Sequence, residues 1–200
     1  MQARTLVVVT ILVDLKNAFL SLLKEKRKNP ALVMMYAFID ICAALANDGK
    51  TENRAIFESC VNNFTVMSSK PFSAYDLWSA RCSLLHAYSP LGRHTEKQSG
   101  ARPIFYYSWP ERDEMESVLK SRGYTDLIML DIEDIQWVAI DVLTSLLRHI
   151  ETDAAFEARF LDNAQHFLFD LQAFKLEAEL SMLQELKVKS GRSNRSQSEI

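Results

Sequence analysis

The sequence predicts a mainly α-helical protein: a bundle of four or five helices with a small αβ insertion and a long C-terminal helix. Only 5 glycines and 5 prolines occur in 200 residues, too few for the many tight turns of a sandwich or barrel. Apolar residues make up 48% of the chain, enough to fill a core, and they recur at helical spacing before residue 90 and after residue 131. These observations exclude all-β, collagen-like and disordered classes.

Four helices are predicted in the first 90 residues. The first contains the apolar stretch Leu6–Val13. Pro30 fits the first position of the second helix, and Ser73 is a suitable N-cap for the fourth. The predicted ranges are the N-terminal stretch to about Lys28, then about 31–46, about 52–66 and about 74–89.

The apolar stretch Leu6–Val13 is predicted to form the first turns of an amphipathic or buried helix and not a membrane anchor. Asp14 and Lys16 interrupt it, and it is far shorter than the ~20 residues that span a bilayer. No small-residue cleavage site of a signal peptide follows. Three cysteines at wide spacing give neither a zinc motif nor a disulfide framework, so a reducing cytoplasm is expected. They are Cys42, Cys60 and Cys82.

The second half begins with an insertion, at about 103–130, that contains two strands. Strands are predicted at Ile104–Trp109 and Thr125–Leu130, with a short acidic helix at about 110–122 between them. Asp131 fits the N-cap of a helix to about Ile150, and Thr152 or Asp153 begins the last one. That last helix carries an apolar seam at alternating spacings of four and three, made of Phe160, Ala164, Phe167, Leu171, Phe174 and Ala178.

We expect residues 1–186 to form a single domain. Polar and basic residues replace the apolar ones in the segment 187–200, which is predicted to be a disordered basic tail. The whole chain has a net charge of −3, so any contact with nucleic acid must be local. No glycine-rich phosphate loop, serine-hydrolase elbow or zinc-binding helix motif is present. We expect neither a metal nor a cofactor.

The fourth predicted helix contains a charge in an apolar setting. At 100° per residue, Arg81 lies in the middle of a wide apolar arc that is predicted to be buried. The polar residues Asp76, Ser79 and Ser83 form one narrow wedge, and His86 lies at its edge. A guanidinium in such a place needs an anionic partner.

Asp40 is the predicted partner of Arg81. It is the only charged residue between Ala31 and Ala46, so each of the two helices holds one isolated charge of opposite sign. A buried pair of this kind can fix helix register without any chemistry, and breaking it would cost about 3–5 kcal/mol.

A resemblance to a known family rests on these residues. The segment from Arg81 to His86, an arginine, four residues and a histidine near the end of an apolar helix, resembles the signature of HEPN domains (higher eukaryotes and prokaryotes nucleotide-binding). The segment YDLWSARCSLLHAYSPLG and the helix MYAFIDICAALAND are similar to a prokaryotic branch of them. The resemblance spans about Pro30 to Gly92, and the position after the arginine, often polar in active members, is Cys82.

The resemblance implies a homodimeric helical bundle that cleaves RNA without a metal, with Arg81 and His86 as the catalytic pair. Asp40 and Cys82 would support them. Toxins and phage-defence effectors of this kind act with an antitoxin or regulatory protein. The alternatives are a catalytically inactive HEPN dimer that binds a partner, and a nucleotide-binding helper.

The loop after the motif is a candidate RNA-binding segment. It is basic, and it would hold the RNA backbone by local charge in an otherwise acidic protein. A solvated loop without that role is the alternative. The candidate contacts are Arg93, His94, Lys97 and Arg102.

Overall fold

The computed structural model describes residues 3–87, 100–107 and 112–167. Within them it is mainly α-helical, as predicted, with one small sheet. The chain divides into two units, Met1–Asn163 and Ala164–Ile200; the boundary predicted at residue 186 stays a prediction. The elements are α1 (Ala3–Lys24), α2 (Lys28–Ala46), α3 (Asn53–Phe64), α4 (Ala74–Ala87), β1 (Ile104–Tyr107), α5 (Arg112–Ser121), β2 (Ile128–Asp131), α6 (Ile132–Thr152) and α7 (Ala154–Phe167).

The turn between α1 and α2 comes earlier than predicted. α1 ends at Lys24 and α2 begins at Lys28, so Pro30 occupies the third position of α2 and not its first. Lys26 makes the turn with a φ of 59°. Proline is tolerated there because the first N–H groups of a helix have no partner within the helix.

α2 is the central helix of the bundle and packs against α1, α3, α4 and α6. Its sequence is apolar on nearly every face, which suits a helix with neighbours all around it. Tyr36, Phe38 and Ile39 are almost completely buried, and Phe38 meets Phe19 of α1 edge-on with ring centroids 5.6 Å apart. A polar group on a buried face of α2 therefore has to find its partner within the protein.

α1 and α2 are also long and apolar enough to cross a membrane by length and composition alone. Their mean hydropathies over the most apolar windows are 2.0 and 1.6, and 22% and 50% of those windows are buried inside the protein. Core helices and signal sequences pass the same test. The exposed side of α1 carries the polar side chains Thr10, Asp14, Asn17, Ser21 and Lys24, a pattern typical of a helix that lies on a core.

The insertion forms a β–α–β unit. β1 and β2 pair in parallel, with Ile104 opposite Ile128, and α5 supplies the crossover that parallel strands require. The second strand begins and ends later than predicted, and residues 108–111, where the first was predicted to end, lie outside the described ranges. The Tyr106 hydroxyl meets the Tyr36 hydroxyl at 2.5 Å, which fastens the insertion to α2.

The N-terminal end of α4 is held by a buried carboxylate. Ser73 and Asp76 bond reciprocally: the Asp76 N–H donates to Ser73 Oγ, and the Ser73 N–H donates to Asp76 Oδ2. This is the capping arrangement predicted for Ser73. The backbone N–H and the guanidinium of Arg102 also donate to Asp76. Asp76 is only 3% exposed, so these bonds replace its lost hydration.

The caps of α6 and α7 agree with the prediction. Asp131 accepts from the Glu133 N–H, and Asp153 accepts from the N–H groups of Ala155 and Phe156. Phe160, the first residue of the predicted seam, is buried. The later seam positions belong to the second unit, and those beyond residue 167 lie outside the described ranges, as does the predicted tail.

We predict that Asp76→Ala lowers the free energy of unfolding at pH 7 by about 2–4 kcal/mol, because it removes a helix cap and strands the donors that meet it. Burial alone would raise the pKa of Asp76, but hydrogen bonds from Ser73 and Arg102 outweigh burial and hold the pKa below its usual value. The carboxylate therefore stabilises the fold above pH ~4, and this contribution is lost as the pH falls through the folded-state pKa.

Urea unfolding followed by circular dichroism at pH 7 and at pH 3 measures both effects. The exposed Asp162 offers a matched control, and Asp162→Ala should change the free energy of unfolding by less than ~0.5 kcal/mol. A loss for Asp76→Ala that does not shrink at the lower pH would contradict the role of the ionised carboxylate.

Candidate active site around Arg81

Arg81 and Asp40 form an ion pair between α4 and α2, as the sequence predicts. The Arg81 Nε–H donates to Asp40 Oδ2 at 2.7 Å. The side chains are 20% and 25% exposed, so the pair is half-buried and one side of it reaches solvent. Charge-assisted hydrogen bonds of this length are among the stronger ones in proteins.

Two further contacts fix the Arg81 guanidinium. Its central carbon lies over the Trp78 ring, 4.9 Å from the centroid, within the range of a cation–π interaction. Nη1 lies 3.8 Å from Cys82 Sγ, and a thiol sulfur is a weak acceptor. Among the described residues, only Nε therefore has a strong acceptor. The edge formed by Nη1 and Nη2 has the geometry that takes two oxygens of a phosphate or carboxylate.

Burial sets the protonation of the acids around Arg81. It raises the pKa of Asp40 above its ordinary value, and the Arg81 charge opposes that rise. Burial and the Asp40 charge raise the pKa of Cys60 to about 12. Burial also raises the pKa of Cys82, against a smaller lowering by Arg81. Both thiols are therefore neutral near pH 7, and neither is activated as a nucleophile.

His86 lies in the last turn of α4, which runs unbroken to Ala87. Five residues of regular helix place Arg81 and His86 about 140° apart around the axis and ~7.5 Å apart along it. The side chain of His86 lies outside what the structure describes, and so do Arg93, His94 and Lys97. The backbone brings the two motif positions close without placing them on one face.

Arg102 is the last of the four candidate RNA contacts, and it lies at the other end of α4. Its guanidinium donates to Asp76 Oδ2 at 2.9 Å and to the Pro71 carbonyl at 3.0 Å. That end of α4 is ~20 Å along the axis from His86. The Arg102 side chain is 39% exposed, so an RNA phosphate would share it with Asp76.

The polar wedge of α4 is more buried than the sequence indicates. Ser79 and Ser83 are 0% and 3% exposed. The Ser83 hydroxyl donates to the Ser79 carbonyl, a backbone bond that a buried helical serine can make, whereas the buried Ser79 hydroxyl has no hydrogen-bond partner among the described residues. Every α4 side chain from Ala74 to Leu85 is at least half-buried within one chain, and the apolar arc alone is thus a weaker reason for a dimer than the sequence implies.

A cavity of about 390 Å³ lies elsewhere in the bundle, between the end of α2, α3 and the turn from α6 to α7. Neither Arg81 nor Asp40 lines it. Two of its carboxylates are already engaged, since Asp153 caps α7 and Asp48 pairs with Lys50. Within the described ranges, no group of three or more His, Cys, Asp or Glu side chains has the arrangement of a metal site. The polar edge of Arg81 is thus the stronger candidate for chemistry.

The helical wheel places Trp78 beside Arg81 in the apolar arc, but it did not predict the cation–π contact between them. The two residues are three apart on one helix, and side chains at that spacing are neighbours. This spacing could therefore have predicted the contact. No such signal exists for the two tyrosine hydroxyls, which meet across 70 residues.

We predict that Asp40→Ala lowers the free energy of unfolding by about 2–3 kcal/mol, because it leaves Arg81 without its carboxylate. This is less than the 3–5 kcal/mol expected for a fully buried pair, since solvent reaches both partners. Urea unfolding at pH 7 measures the loss. Lys120→Ala, which breaks the exposed pair with Glu116, is the control and should lower the free energy of unfolding much less, because solvent screens exposed ion pairs. Equal losses for the two variants would show that the Asp40 pair has no special role.

Comparisons with known proteins give no relative for this chain. No family model matches it, no curated protein matches it, and no solved structure matches it. The resemblance to HEPN domains therefore stays a prediction, which rests on Arg81, His86 and the apolar helices that precede them.

Proposed function

We propose that this protein is a metal-independent endoribonuclease of the HEPN type, with Arg81 and His86 as its catalytic pair. One observation carries the proposal: the Arg81 guanidinium is held by Asp40 and Trp78, while its Nη edge meets no strong acceptor among the described residues. That edge suits a phosphodiester. His86 follows five residues later, in the last turn of the same helix.

The reaction needs only a base, an acid and a cation. A base takes the proton from the ribose 2′-OH, the 2′ oxygen attacks the neighbouring phosphorus, and the 5′ oxygen leaves with a proton. The products are a 2′,3′-cyclic phosphate and a 5′-hydroxyl. His86 acts as the proton-transfer group, as base or as acid. An imidazole is suited to this role because it titrates near neutral pH and a helix C-terminus favours its protonated form. Arg81 stabilises the charge that develops on the phosphorane oxygens.

Two copies of the chain complete the site in this proposal. Side chains 140° apart on a helix do not meet at one phosphate easily, whereas two α4 helices related by a two-fold axis can pool Arg81 from one protomer with His86 from the other. Toxin or phage-defence activity, control by an antitoxin or other regulatory protein, and a cytoplasmic location are part of the same proposal.

A catalytically inactive dimer that binds a partner is the second candidate. It is favoured by the charge balance at the site, because Asp40 neutralises Arg81 and the neighbouring Cys82 thiol is uncharged at neutral pH. An anion would then bind at the Nη edge without being cleaved. Cleavage of RNA distinguishes the two functions.

We predict that the purified protein cleaves single-stranded RNA in the presence of EDTA and leaves 2′,3′-cyclic phosphate ends. His86→Ala should reduce the rate by about 10²–10⁴-fold, the usual contribution of a general acid or base. Arg81→Lys should reduce it by about 10²-fold or more, because a point charge replaces a planar fork. Gel assays of labelled RNA, with chemical analysis of the ends, measure both effects.

Two matched variants guard against contaminating nucleases and general damage. His149→Ala and Arg148→Lys change exposed residues near the end of α6 and should cleave like the wild type. Persistence of cleavage in His86→Ala would assign the activity to a contaminant. If the wild type binds RNA but cleaves none of a varied set, the inactive binding dimer is the better account.

We predict a dimer of twice the 22.9 kDa chain mass with composite sites. Light scattering measures the mass. Co-expressed Arg81→Ala and His86→Ala chains should regain about a quarter of wild-type activity, because half of the dimers are mixed and each mixed dimer has one complete site. A monomer at micromolar concentration, or a mixture as inactive as its parents, would contradict shared sites.

A further inference from the structure

We propose that Trp78 is a positioning residue, whose indole ring sets the plane of the Arg81 guanidinium and so aims its Nη edge at a phosphodiester. The substrate class rests on the proposed function, whereas the effect of the ring on Arg81 is independent of it. Nothing in the motif of an arginine, four residues and a histidine includes this position.

The ring is itself rigidly held. Trp78 is only 8% exposed. Besides Arg81, it also contacts Phe57 of α3, with ring centroids 5.5 Å apart and planes inclined by 54°. The central carbon of Arg81 then lies 4.9 Å from the indole centroid. A chain of three side chains, from Phe57 through Trp78 to Arg81, thus transmits the position of α3 to the guanidinium.

Trp78 and Asp40 constrain different motions of the guanidinium. The single bond from Nε to Asp40, at 2.7 Å, fixes the position of one nitrogen, but the planar group can still turn about that contact. The indole face resists this turning, because a tilted guanidinium would lose its contact with the ring. Together the two contacts hold the Nη edge in one direction.

The contacts of Trp78 and Asp40 also restrict the directions from which an anion can approach Arg81. The indole ring lies on one side of the guanidinium, with its centroid 4.9 Å from the central carbon, and Nε is engaged by Asp40. The remaining route is along the Nη edge, where Cys82 Sγ, 3.8 Å from Nη1, is a weak acceptor that a phosphate oxygen replaces at small cost. A phosphate can bind there without breaking the Asp40 pair.

The test compares Trp78→Leu and Trp78→Phe with Trp137→Leu, which removes an exposed tryptophan of α6 (53% exposed). Binding of a 2′-O-methyl oligoribonucleotide, which lacks the attacking hydroxyl, should weaken about 3- to 30-fold in Trp78→Leu. It should weaken less in Trp78→Phe and stay unchanged in Trp137→Leu. In cleavage assays KM should rise, while the pH midpoints of kcat should not move.

A second measurement depends neither on RNA cleavage nor on a substitution of Trp78. Fluorinated tryptophan, incorporated in a Trp109→Phe, Trp137→Phe background, withdraws charge from the ring face and leaves its shape nearly intact. NMR of ¹⁵N-labelled arginine should then show the Arg81 Nε–H signal shifting and broadening as fluorine is added. Titration with inorganic phosphate should show progressively weaker binding at Arg81.

The outcomes separate the two proposals. An Arg81 signal and phosphate affinity that do not respond to fluorination, together with wild-type RNA binding by Trp78→Leu, would overturn the role of Trp78. A fluorine-dependent signal in a protein that neither binds nor cleaves RNA would overturn the proposed function alone and leave Trp78 as the residue that positions Arg81.

Discussion

The ion pair between Asp40 and Arg81 is the constraint on which the candidate site depends. α2 packs against α1, α3, α4 and α6 and Asp40 is three-quarters buried, so its carboxylate is stabilised by the cation opposite. Replacing such pairs by apolar side chains is often neutral or stabilising, so stability alone does not account for this one. Asp40 contacts Nε, and the Nη edge has no strong acceptor in the part of the chain that the structure describes.

α4 is held unevenly along its length, and this bears on where chemistry can occur. Its first turn is fastened by the buried Asp76, which meets both Ser73 and Arg102. Its middle is fixed by Asp40 and Trp78 through Arg81. The insertion reinforces the same region, because its Tyr106 bonds to α2 one turn before Asp40. Arg81 is therefore held both by α2 and by its own helix, and a fixed cation is what electrostatic stabilisation of a transition state requires.

The sequence predicted the parts of the fold that depend on local chemistry. Helix caps at Ser73, Asp131 and Asp153 are set by neighbouring residues, and the Asp40 pair followed from two isolated charges. The predicted start of α2 was wrong, because proline is tolerated throughout the first turn of a helix and Lys26 makes the turn before it. The sequence analysis also missed the burial of Ser79, because a helical wheel shows the faces of one helix and not the elements that pack against them. Side-chain contacts far apart in sequence, such as those of Tyr36, depend on packing.

The charge balance at Arg81 makes geometry the deciding factor for any ligand. With Asp40 bound, the pair has no net charge, so long-range attraction contributes little and an anion gains mainly from the hydrogen bonds of the Nη edge. Those bonds depend on the direction of the guanidinium more than on its charge. The proposed nuclease and the proposed inactive binding dimer would therefore use the same anion site at Arg81, and they would differ in whether an imidazole reaches a phosphate there. The position of His86 in the assembled protein, and not the strength of binding at Arg81, decides between the two functions.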